Sequence, residues 1–222
     1  MCPSRLSFFV FILGFAHCTV ASLECRSEDP SCNTGATVLM LPSAVLAGCT
    51  NQSAQLISLA AEDGTVIDNP PSAVTTGGIV NIGDTASGDT IQLFLSFDIT
   101  ALQGGLLSSA TVSVYQSNAN ANPALIVPFY VDHVDFGTLD TSDHGTTGLA
   151  VGFHEINDVS FPSFKTFDVT AQVLADLTVG RPRSQFRIRA TTDGGISADS
   201  LALHTGDSGT NPAAMNYNGC FL

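Results

Sequence analysis

Ile91-Gln-Leu-Phe-Leu-Ser-Phe-Asp-Ile-Thr100 alternates along its length, and Leu106-Leu-Ser-Ser-Ala-Thr-Val-Ser-Val-Tyr115, one loop further on, does the same. Ile91, Leu93, Leu95 and Phe97 fall on one side of an extended chain, as do Ala110, Val112 and Val114 in the second run. Successive side chains of a strand point to opposite faces, so a period of two marks a half-buried β-strand. Thr100-Ala-Leu-Gln-Gly-Gly105 joins the runs with the glycines a reversing loop uses.

From Leu56 onward turn signals recur at intervals of roughly 8–15 residues, the cadence of a β-sandwich. Asp63-Gly64 separates Leu56-Ile-Ser-Leu59 from Thr65-Val-Ile67, and Gly77-Gly78 leads into Ile79-Val-Asn-Ile82. Pro128 interrupts Leu125 to Val131, which predicts an edge strand or a bulge there. One short helix is predicted over about 170–179, capped by Thr170, with Val173, Leu174 and Leu177 on one face. Gly180 and Pro182 stop it, and it would plug an open end of the sandwich. Gln185-Phe-Arg-Ile-Arg-Ala190 then alternates again, with Phe186 and Ile188 inward and Gln185, Arg187 and Arg189 outward. Leu201 with Leu203, and Ala214 to Tyr217, mark the last two strands.

Ahead of this domain, residues 1–22 read as a secretory signal: Arg5 as the positive region, Leu6 through Ala16 as the apolar core, then small residues near Ser22. The apolar run is shorter than the ~20 residues a spanning helix needs. Phe15-Ala-His-Cys18 offers an alternative, lipidation of Cys18 and anchoring at the cell surface. Residues 23–55 form a lead segment with an apolar patch, Val38-Leu-Met-Leu41, and residues 56–222 form the sandwich. Cys25, Cys32, Cys49 and Cys220 would remain after cleavage, an even number that predicts two disulfides in an oxidising compartment. Three pairings are possible, and the position of Cys220 predicts a bridge between the two ends of the domain. The net charge is −13 with seven basic residues, which argues against nucleic acid as a partner. Asn51-Gln-Ser53 is a glycosylation sequon, relevant in a host that modifies such sites.

Asp63-Gly-Thr-Val66, Ile82-Gly83, Leu93-Phe-Leu-Ser-Phe-Asp98, Leu107-Ser-Ser-Ala-Thr-Val112 and Phe167-Asp-Val-Thr170 occur in that order, with a closing strand after Pro212. In these landmarks the stretch from Leu56 to Asn218 resembles the DNRLRE-type domain, grouped with carbohydrate-binding-module family 96. The resemblance implies a jelly-roll β-sandwich that binds glycans, often acidic ones such as alginate, as an accessory to a lyase or hydrolase. The chain departs from that family in lacking tryptophan, and in reading Leu203-His-Thr-Gly-Asp207, without arginine, at the stretch that names it.

Five of the six basic residues beyond the leader fall between Lys165 and Arg189. Arg187 and Arg189 share a face with Gln185, and guanidinium forks pair bidentately with carboxylates such as those of uronic acids. Tyr115 alternates away from Val112 and Val114 and offers a ring for stacking on a sugar. Gln185, Arg187, Arg189 and Tyr115 are thus the candidate ligand-binding residues. His133, His144 and His154 are too widely spaced to form a metal site on one local element. Asp84 with Asp89, and Asp193 with Asp199, are candidates for structural calcium, although no EF-hand spacing is present. Catalysis has no motif behind it: Arg187, Arg189, His204 and Tyr217 are residue types used by jelly-roll polysaccharide lyases, but nothing in the sequence arranges them.

The expected protein is an exported, non-catalytic carbohydrate-binding module for an acidic polysaccharide, with no cofactor beyond structural calcium. A surface or matrix protein without a glycan ligand is the second reading, favoured by the missing tryptophans, and a polysaccharide lyase or hydrolase is the third.

Overall fold

β5 (Thr90–Asp98) and β6 (Leu106–Asn120) form where the two alternating runs lie, and β6 continues five residues past Tyr115. The computed structural model describes residues 50–74, 77–191 and 197–221. The other strands are β1 (Thr50–Ile57), β2 (Gly64–Asp68), β3 (Pro71–Val74), β4 (Ile79–Asp84), β7 (Phe129–Val134), β8 (Ala150–Ile156), β9 (Ser163–Asp168), β10 (Arg183–Arg189), β11 (Ser200–His204) and β12 (Ala214–Phe221). Among the described residues one α-helix, α1 (Thr170–Val179), lies between β9 and β10. The signal-like stretch, Cys18, Cys25, Cys32, Cys49, the patch at Val38-Leu-Met-Leu41 and Asp193 lie outside the described residues. β1 begins at Thr50, inside the stretch assigned to the lead segment.

Every pairing is antiparallel. The ladder runs β1-β12-β6-β11-β4-β5-β10-β7-β8, with β9 added beside β6 and the β2–β3 hairpin beside β5. This sheet curls into an all-β sandwich whose walls close on one core. One wall contributes Val112, Val114, Phe167 and Met215, and the other Leu93, Leu95, Phe97, Val131, Phe186 and Ile188. Phe167 of β9 meets Phe186 of β10 across that core, with ring centroids 6.4 Å apart. Each such fully buried side chain contributes about 1.5–3 kcal/mol. At Gly83 (φ 142°) a side chain would collide with the Asp199 carbonyl, so only glycine lets β4 approach β11 this closely.

Pro128 does not leave its strand at an edge. β7 starts one residue later and pairs with β10 on one side and β8 on the other, and a register shift between Val131 and His133 absorbs the irregularity. A proline just outside a strand removes no ladder hydrogen bond, which is why β7 can sit inside the sheet.

The bounds of α1 match the sequence reading, and Val173 and Leu177 lie on its core side as expected, but its cap and Leu174 do not. Thr170 is the first helical residue, and Asp168 Oδ1 accepts from the Thr170 amide at 2.8 Å and from its hydroxyl at 2.6 Å. Leu174 is 41% exposed, whereas Val173 and Asp176 are fully buried. The helix packs on β6 and β10, and Gly180, left-handed at φ 75°, ends it by donating to the Asp176 and Leu177 carbonyls. Among the described residues no helix is long and apolar enough to cross a membrane.

Candidate functional site

In the wall β1-β12-β6-β9, antiparallel partners share a face, so the register fixes which side chains line its outer surface. Phe164 lies opposite Tyr115, Thr166 opposite Ser113, Ala214 opposite Ser113, and Asn216 opposite both Thr111 and Gln55. Their neighbours in sequence, Val112, Val114, Phe167 and Met215, turn to the core. The outer surface is therefore a field of hydroxyls and amides with aromatic rings at one side.

A groove of about 360 Å³ opens in this field. Small side chains, Ser113 and Ala214, form its floor, and Asn211 with Pro212 forms one bank. Phe164 forms the other bank and is 51% exposed. The Tyr115 ring packs edge-on against Phe164 at 5.0 Å, and the His204 ring packs on Tyr115 at 4.9 Å. His204 is itself held, its Nδ1 donating to the Thr210 carbonyl at 2.7 Å, so the phenyl bank is backed by a fixed stack. At the end of the groove Gln55 Nε2 donates to Asn216 Oδ1 at 3.1 Å. That leaves Gln55 Oε1 as an acceptor and Asn216 Nδ2 as a donor without protein partners among the described residues.

The Asn211–Pro212 bank belongs to the β11–β12 connection, residues 205–213, which is pinned at its base. The Thr205 amide donates to the Gly78 carbonyl at 3.2 Å, and the Gly206 amide donates to Asp63 Oδ2 at 2.6 Å. Asp63 is buried, and Ser58 and Asp207 also act on it. Burial pushes its carboxyl up to about 6, against the lowering effect of the Gly206 and Ser58 hydrogen bonds.

A second, smaller cleft of about 240 Å³ lies on the far side of Phe164, between the end of β8 and β9. His154, Glu155, Asp158, Lys165 and Thr166 line it with Phe164. The Lys165 side chain is buried, and its ammonium donates to Asp158 Oδ2, the Ser160 carbonyl and Ser163 Oγ. Those three bonds use all its donors.

The sequence-predicted residues divide between the two walls. Tyr115 stands in the groove wall as the support of Phe164. Gln185 and Arg187 do not face solvent. Residues 136–146, from the β7–β8 connection, cover that face of β10. Gln185 Oε1 accepts from the amides of Phe136 and Gly137, while its Nε2 donates to Ser96 Oγ and the Gly137 carbonyl. Arg187 donates through Nε and Nη2 to Asp132 Oδ2 at 2.9 and 2.6 Å, and through Nη1 to the His144 and Thr146 carbonyls. Arg189 is part exposed, but its Nε also donates to Asp132 Oδ2, at 2.8 Å, and its guanidinium lies 4.9 Å from the Tyr130 ring centre. Burial pushes the Asp132 carboxyl up, but hydrogen bonds from Arg189, Gly152 and Arg187 outweigh it and hold the group below its ordinary value.

The candidate metal ligands are likewise dispersed. His133 Nε2 donates to Asp176 Oδ2 at 2.8 Å, His144 Nε2 lies 2.7 Å from Thr90 Oγ1, and His154 stacks near Phe167. Asp84 and Asp199 tie β4 to the start of β11, since the Asp199 amide donates to Asp84 Oδ1 and the Asp84 amide to the Asp199 carbonyl. Asp89 faces Thr85. Among the described residues no three His, Cys, Asp or Glu side chains are grouped to hold a metal ion. Of the lyase-type residues, Tyr217 packs inward on Phe221 and His204 lies under the 205–213 connection, so neither joins the Arg187–Arg189–Asp132 cluster.

Phe164 was not singled out from the sequence, although a signal for it exists. Phe164 and Phe167 are three apart in one strand, so they point to opposite faces and only one can enter the core. No protein-family model matches the chain, and no curated protein matches it in sequence.

Proposed function

We propose that the protein is a non-catalytic glycan-binding module of an exported protein, and that a sugar ring sits on Phe164. The observation that carries this is a half-exposed phenyl ring, fixed from behind by Tyr115, facing a small-residue floor with an unpartnered amide acceptor and donor at its end. A pyranose presents an apolar C–H face and a rim of hydroxyls. An apolar surface with a few fixed polar groups is the general recipe for binding such a ligand. Among the described residues none that lines this groove is titratable, which supports binding over turnover in this groove. Export is supported by the signal-like stretch at residues 1–22 and by the even number of cysteines beyond it, because disulfides persist in oxidising compartments.

The test is affinity electrophoresis of the protein through gels cast with a panel of polysaccharides. Phe164→Ala should weaken retention at least about tenfold, or about 1.4 kcal/mol, with no change in thermal melting because the ring is half in solvent. A variant retarded as strongly as the parent would remove the groove from the function.

A structural or matrix role is the second reading, and β1 favours it. Among the described residues β1 pairs only with β12, and its eight residues, Thr50 to Ile57, carry no charge and no proline to discourage pairing with another chain. Sedimentation that shifts with protein concentration, and that is abolished by Ala54→Lys, would support this role.

A further inference from the structure

Taking the glycan-binding reading as its premise, we infer that the ligand is an uncharged, extended glycan bound along its interior, crossing Phe164 with sugars in both clefts. Phe164 is the one side chain that lines both, so the platform is open on each side. A site for a chain end would be closed beyond the stacked ring. The larger cleft falls in the range of about 300–1,000 Å³ typical of small-ligand sites, and the smaller one adjoins it as a subsite.

Charge selects the ligand class. The first cleft has no ionisable lining. In the second, Lys165 is committed to Asp158 and two further oxygens, while Glu155 has no ion pair among the described residues. Elsewhere Arg181 is paired with Asp135 and Asp176, Arg183 with Glu62 and Asp98, and Arg187 and Arg189 with Asp132. Thus every Lys and Arg among the described residues is already engaged with a carboxylate, in a chain of net charge −13. A uronate or sulfate held about 4 Å from Glu155 would be disfavoured about fivefold even at the dielectric of water. Sugar hydroxyls meet no such penalty, because the Glu155 carboxylate and the Gln55 carbonyl oxygen accept from them.

Calorimetry and affinity gels on the full chain test this with neutral probes (cello-, manno- and xylo-oligosaccharides from disaccharide to hexasaccharide, and their polymers) against alginate and polygalacturonate. Affinity for one neutral series should rise at least tenfold with length and be insensitive to salt. Thr166→Trp, which fills the second cleft, should remove the gain with length. Glu155→Lys should create retention by alginate. Retention of the parent by the acidic polymers alone, still lost in Phe164→Ala, would overturn the neutral ligand and keep the glycan-binding reading. Equal affinity for disaccharide and hexasaccharide, or a length gain that survives Thr166→Trp, would overturn the interior crossing. No retention by any polymer would overturn the glycan-binding reading as well.

Discussion

Arg187 spends its donors inside the protein, on one carboxylate oxygen of Asp132 and on two carbonyls of the segment that covers it. Asp132 is fully buried and also takes Arg189 and the Gly152 amide, so it is a junction of β7, β8 and β10. Removing one partner of a buried ion pair leaves an undercompensated charge, at a cost of about 3–5 kcal/mol. Arg187→Ala should therefore lower the melting temperature by roughly 10 °C in a domain of this size, a change read by calorimetry. Arg189→Ala should cost less, because that side chain is part exposed and solvent can replace it. Neither variant should alter retention by a glycan at a temperature where the domain is folded, since both residues are engaged on Asp132 rather than in the groove. The alternation of β10 identified its core side, Phe186 and Ile188, from sequence alone. It could not show that the other side is covered too, because the cover comes from residues 136–146, some forty positions earlier in the chain.

At the scale of an element, α1 shows what a pattern of apolar residues resolves. Its ends were legible because Gly180 and Pro182 stop a helix by backbone geometry, which needs no tertiary context. Its buried face was legible only in part: Val173 and Leu177 lie on the core, but Asp176 reads as a solvent residue in any hydrophobic pattern. Asp176 is inside because two partners meet it there: His133 of β7 on one oxygen, and Arg181 on the other at 3.0 Å. Asp176→Ala should strand His133 Nε2 in the core and leave Arg181 with Asp135 alone, with a loss of about 3–5 kcal/mol. Hydrogen exchange should then show α1 losing protection before β5 and β6. Uniform loss across all strands would mean that the helix does not open separately. Leu174→Ala, at a position 41% exposed, is the matched control and should stay within about 0.5 kcal/mol of the parent.

For the whole molecule, two buried carboxylates pull stability in opposite directions with pH. Asp63 has a folded-state value of about 6, raised chiefly by burial, so the fold prefers its protonated form. Its contribution is complete below the unfolded value near 4 and is lost as the pH rises to about 6. The shift of roughly two units corresponds to about 3 kcal/mol. Asp132 is depressed, so its contribution is present above the ordinary carboxylate range and is lost as the pH falls through its folded value. Stability should therefore peak near pH 4, below the usual range. Asp63→Asn should keep the hydrogen bond from the Gly206 amide through its carbonyl oxygen and remove the ionisation. Urea unfolding at pH 4.5 and 7.5 should show the parent losing about 2 kcal/mol between them and the variant losing little. The net charge of −13 at neutral pH supplies a competing explanation, mutual repulsion across the surface. Salt separates the two. Repulsion between exposed groups is screened beyond about 8 Å at physiological ionic strength, whereas the desolvation of one buried carboxyl is not. A pH difference that vanishes in high salt would assign the effect to net charge. One that persists in salt and disappears in Asp63→Asn would assign it to the anchor beneath the 205–213 connection, and with it the bank of the groove.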